Sequence, residues 1–82
     1  MMLTSELIQH AIASLEDVSE VTVTGDGYHF QALVVSNQFE GLSRVARQQW
    51  VYAKLKPWIL SGELHAISMQ TWTKSEWEKQ RG

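Results

Sequence analysis

Leu7, Ile8, Ala11, Ile12 and Leu15 recur at the three- and four-residue spacing of one helical face near the start of the chain. Thr4 or Ser5 can cap that helix, and Glu6 suits its positive N-terminal end. The helix ends across Ser14–Asp17. The pattern then switches to a β-branched run, Val18, Val21 and Val23 with Thr22 and Thr24, which predicts a first strand. Gly25-Asp26-Gly27 is a tight-turn signal. Tyr28 to Val35 follows as a second strand, antiparallel to the first.

Ser36-Asn37 and a short loop through Leu42 separate these strands from a long amphipathic helix, capped by Ser43 and running from about Arg44 to Lys56. Val45, Gln48, Val51, Tyr52 and Leu55 fall on one face of it, with Arg47 and Lys54 at the margins and Trp50 on the other side. Pro57 is expected to interrupt the helix or to start a new turn, leaving Trp58-Ile59-Leu60 as a short helical piece before Ser61-Gly62. A third strand is predicted over Leu64–Trp72. Thr73 and Glu76, at capping-box spacing, open a last helix over Lys74–Gln80. The order is α-β-β-α-β-α, an α+β fold with a three-stranded mixed sheet, in one domain spanning residues 1–82.

A chain of 82 residues buries only about 60% of its unfolded surface, so its core is small. The balance of 44% hydrophobic and 20% charged residues, with a mean hydropathy of -0.22, is that of a globular protein. A formal net charge of -2 lowers the expectation of a dedicated nucleic-acid binder. There is no cysteine, hence no disulfide and no thiolate metal site made by this chain alone. With neither a leader-like start nor a long apolar run, the expected compartment is the cytoplasm.

Two histidines stand at strand starts. The long helix between the second and third strands is the crossover that parallel neighbours need, so His29 and His65, 36 positions apart, are expected at the same end of the sheet. His29 shares parity with Leu33 and Val35, and His65 with Ile67 and Met69, which allows both imidazoles one face if the register agrees. Either each is a polar residue at a strand end, or together they form half a metal site. Asp26 offers a carboxylate or simply serves the turn, and His10 belongs to an exposed flank of the first helix. The ligands available fall short of four, so a soft-metal site here needs completion by another molecule.

Catalytic signatures are absent. No nucleophile elbow surrounds a serine, no glycine pattern forms a phosphate loop, and no carboxylate pair is evident. Arg44, Arg47, Gln48 and Trp50 form the one cluster suited to phosphate, bases or a partner protein, the alternative being a solvated helix face. Trp50 is either covered by the terminal helix or exposed at an interface. The topology is KH-like, but the GXXG clamp is missing.

Four ordered segments, Gly25-Asp26-Gly27-Tyr28-His29-Phe30, Phe39-Glu40-Gly41-Leu42-Ser43-Arg44-Val45, Gln48-Gln49-Trp50-Val51-Tyr52 and His65-Ala66-Ile67-Ser68, together resemble the BolA family, in particular its IbaG-like bacterial branch. The closing Thr73–Trp77 segment also fits. The resemblance implies a class II KH-like topology and a non-enzymatic role in iron–sulfur handling or iron sensing, partnered by a monothiol glutaredoxin. It implies a bridging [2Fe–2S] cluster, with His65 at the family's C-terminal ligand position and His29 at its loop ligand position. The partner's thiolate and glutathione would complete the set. Alone, such a chain is expected to be a monomer or weak homodimer. The resemblance also implies an alternative, a DNA-binding regulator working through the Arg44/Arg47 helix.

Overall fold

The computed structural model describes residues 2–81. Helix α1 spans Ser5–Ala13, with Thr4 Oγ1 accepting the Leu7 N–H at its start. Strands β1 (Val18–Gly25) and β2 (His29–Ser36) form an antiparallel hairpin. A single 3₁₀ turn, Asn37–Phe39, leads to α2 (Arg44–Ser61), capped by Ser43 Oγ on the Ala46 N–H. Strand β3 (Ala66–Trp72) pairs parallel to β2, and α3 (Lys74–Arg81) ends the fold. The sheet order is β1-β2-β3, and the architecture is the α+β arrangement expected from the pattern.

Register decides what each face holds. Val23, Ala32 and Met69 form one cross-strand row, and Phe30 with Ile67 another. These side chains meet Ile8 and Ile12 of α1 and Val51 and Leu55 of α2 in the core. The opposite face carries the rows Thr22–Leu33–Gln70 and Thr24–Gln31–Ser68. Its far end is closed by α3, where Trp77 packs at a tilt on Trp72, the partner of buried Val35.

Both outer strands are capped by helix side chains. On β1 the Val23 N–H donates to Gln9 Oε1 at 3.0 Å. On β3 the Ile67 carbonyl accepts from Tyr52 and the Thr71 carbonyl from Arg47. Strand edges otherwise present unpaired backbone groups to other chains, so these bonds blunt both sides of the sheet.

Two helix expectations are corrected. Pro57 does not end α2, which continues to Ser61. Leu55 and Trp58 pack on the core on either side of Pro57, which is itself exposed, and this packing outweighs the missing helical hydrogen bond. The buried face of α2 is also rotated from the expected one. It runs through Arg47, Val51, Leu55 and Trp58, and Val45 stands 62% exposed. A charged residue reads as solvent-facing in any hydrophobicity pattern, yet Arg47 is turned inward because partners for its guanidinium come from β3 and α3. Among the described residues no helix is long and apolar enough to cross a membrane.

Candidate functional site

The hairpin between β1 and β2 is built around one aspartate. Gly25 ends β1 where a Cβ would lie 2.5 Å from the His29 carbonyl oxygen, so no larger residue fits. Gly27 has φ +93°, in the left-handed region. Between them Asp26 Oδ1 accepts the backbone N–H of both Tyr28 and His29, each at 2.9 Å. The bond from His29, then that from Tyr28, holds the Asp26 carboxyl below its ordinary range. Asp26 therefore serves the turn, the more local of the two roles open to it.

His29 opens β2 and pairs with Ala66, the first residue of β3. His65 immediately precedes that residue, in a segment anchored by buried Leu64, whose N–H donates to the Trp58 carbonyl at 3.1 Å. Parallel pairing thus puts both histidines at one end of the sheet. It does not give them one parity. Phe30 pairs with Ile67, so His29 belongs with Gln31 and Ser68, whereas the parity of His65 is that of Ile67 and the core face. The register is offset by one residue from that needed for a shared face.

What joins the two imidazoles is Tyr28. Its ring stacks on His65 with centroids 4.5 Å apart and planes 13° from parallel, and meets His29 edge-on at 5.2 Å and 83°. All three side chains are exposed. Among the described residues no three histidine, aspartate or glutamate side chains gather into a metal cage. The donor set is two imidazoles open to solvent, which fits a pair of ligands offered to a second molecule and does not fit a self-sufficient centre.

The Arg44–Trp50 stretch is organised differently. Arg47 donates from Nε to the Leu42 carbonyl at 3.0 Å and from NH1 to the Thr71 carbonyl at 3.1 Å. It also makes a bidentate pair with Glu76, at 2.7 and 3.2 Å. Its guanidinium lies 5.8 Å from the centre of the Phe39 ring, and its side chain is only 13% exposed. Glu76 also accepts the Thr73 N–H at 2.9 Å and donates its own N–H to Thr73 Oγ1, completing the capping box. The Arg47 bonds, followed by that from Thr73, hold the Glu76 carboxyl at about 2. Trp50 is half-buried and meets Phe39 of the 3₁₀ turn at 5.4 Å with the ring planes near perpendicular. Gln48 is half-buried and Arg44 exposed. Arg47 and Trp50 are thus held in intramolecular contacts, and of the two arginines Arg44 alone stands clear.

Residues 3–76 match the sequence model of the BolA family, described as BolA-like protein. The chain belongs to the BolA family. It is 40% identical over 74 residues to the acid stress protein IbaG of Escherichia coli, a match covering 90% of this chain and 88% of that one. The structure of a BolA homologue from Coxiella burnetii superposes with a TM-score of 0.83 at 35% identity, covering 94% of this chain and 99% of that one. The solution structure of yeast Fra2 gives a TM-score of 0.76 at 31% identity, over 96% and 88% of the two chains.

Two site features of this BolA-family chain are not legible in its sequence pattern. The pattern puts Tyr28 in a strand, although it lies in the loop and bridges the histidines. Its position between a turn aspartate and His29 is a signal that can be read only once His65 is known to be close. The spacing from Thr73 marks Glu76 as a helix cap, whereas its pairing with Arg47, across 29 positions, has no local signature.

Proposed function

We propose that this BolA-family chain is a non-enzymatic adaptor in iron–sulfur cluster handling or iron sensing, forming a [2Fe–2S]-bridged heterodimer with a monothiol glutaredoxin and glutathione. The observation that carries the reading is the pair of exposed imidazoles, His29 and His65, at one end of the sheet and in contact with the same tyrosine ring. Four ligands complete such a cluster. This chain offers two nitrogens, and a glutaredoxin–glutathione unit offers two sulfurs. The cluster, when bound, supplies one-electron chemistry, and imidazole in place of thiolate raises its potential. The chain's own part is to hold two imidazoles at one end of the sheet, through the Asp26 turn on one side and the Leu64 anchor on the other.

The test is anaerobic mixing with cluster-loaded monothiol glutaredoxin and glutathione, followed by visible absorption and circular dichroism. A new spectrum at one-to-one stoichiometry is expected, lost in His65→Ala and weakened or redirected in His29→Ala. A wild-type spectrum in both variants would sink the ligand assignment. The DNA-binding alternative predicts instead an affinity that falls steeply with salt and ignores His65→Ala. With Arg47 tied to Glu76, that reading leans on Arg44.

A further inference from the structure

Tyr28 is 57% exposed and lies outside the apolar core, so it is not retained by burial. It is nonetheless held at both ends. Its backbone N–H is bound by Asp26, and its ring is engaged by two imidazoles at once. We propose that Tyr28 is a positioning residue that fixes the ring plane of His65 by stacking and ties it to His29. The proposal rests on the reading of the histidines as ligands.

Geometry gives the stack a use. An imidazole nitrogen donates its lone pair in the plane of the ring. A phenol ring lying 13° from parallel over the face of His65 restrains rotation of that plane and leaves the in-plane donor directions clear. His29 is constrained from the same loop, because Asp26 binds the N–H groups of Tyr28 and His29 together. One carboxylate therefore braces the tyrosine and the first histidine, and the tyrosine ring braces the second. The benefit is preorganisation, since ordering two free side chains at the moment of ligation costs affinity. The phenol oxygen has no part in this, so phenylalanine should replace tyrosine and an aliphatic residue should not.

The rotamer of His65 is read first, in the metal-free full-length protein, from three-bond couplings and ring-to-backbone NOEs. Wild type and Tyr28→Phe are expected to show one dominant rotamer, and Tyr28→Leu an averaged one. The glutaredoxin concentration that gives half of the His65-dependent spectral change should then rise roughly 2- to 10-fold in Tyr28→Leu, the range an aromatic pair spans, and recover in Tyr28→Phe. An averaged His65 rotamer in the wild type overturns the proposal without any variant. So does a single rotamer retained in Tyr28→Leu, or a Tyr28→Phe that behaves like Tyr28→Leu. Failure of the adaptor reading is distinguishable, because it appears as a missing spectral change in the wild type while the rotamers still decide the role of Tyr28.

Discussion

Glu76 accepts a bidentate bond from Arg47 and the Thr73 N–H, and its carboxyl lies at about 2 instead of the ordinary 4.5. A carboxyl depressed in the folded state adds stability above its unfolded value, and that stability is lost as pH falls from about 4.5 through about 2. Glu76→Gln is therefore expected to flatten acid unfolding in this window while lowering stability at neutral pH. The carboxylate is 43% exposed, so screening discounts its charge. A loss of about 1 kcal/mol remains, or a melting temperature lower by about 4–8 °C in a domain of this size. Thermal melts at pH 7 and across pH 2–5 check both parts (the pH range is about that of the shift). Asp26 moves in the same direction, chiefly through the backbone bonds from His29 and Tyr28, but on an exposed group whose task is local geometry.

At the scale of elements, α2 shows how packing overrides propensity. Pro57 lies well inside an 18-residue helix, where it removes one hydrogen bond and crowds the preceding turn. The helix persists because Val51 and Leu55 before it and Trp58 after it are anchored on the same core. Since Pro57 is exposed and its ring fills no core space, Pro57→Ala is expected to stabilise the protein, by up to about 3 kcal/mol. Chemical denaturation would detect this as a higher midpoint at unchanged slope. A lower midpoint would mean that a bend at Pro57 is needed to bring Trp58 onto the core.

For the whole molecule, Phe39 links parts of the chain that are distant in sequence. It is fully buried on the 3₁₀ turn, meets the Trp50 ring at near right angles and lies beneath the Arg47 guanidinium, which in turn holds β3 and α3. Phe39→Ala is expected to cost about 3–5 kcal/mol. Total stability is of the order of 0.1 kcal/mol per residue in small proteins, so this variant should lose roughly half of its stability, read as a markedly lower urea midpoint by far-ultraviolet circular dichroism. A loss below about 1 kcal/mol would mean that the α2–α3 junction holds without this ring. The edge bonds from Gln9, Tyr52 and Arg47 belong to the same scale, because they depend on helices folding back along both outer strands.

The sequence by itself determined the order of elements, the hairpin at Gly25–Gly27, the caps at Ser43 and Thr73, the mixed sheet and membership of the BolA family. Each of these is written in local spacing or in turn and cap chemistry, and the family in ordered segments along most of the chain. The parallel crossover was likewise enough to bring His29 and His65 to one end. Only the tertiary structure decided the register, the inward turn of Arg47, the passage of α2 through Pro57 and the place of Tyr28 between the two histidines. A period of two or 3.6 reports which residues are apolar, but cannot report that an arginine will find a carboxylate 29 positions away. Nor can it fix a strand to within one residue of its neighbour, because packing across the sheet sets that offset. Tyr28 lies where both limits meet, on a loop whose shape is local and against a histidine whose nearness is not.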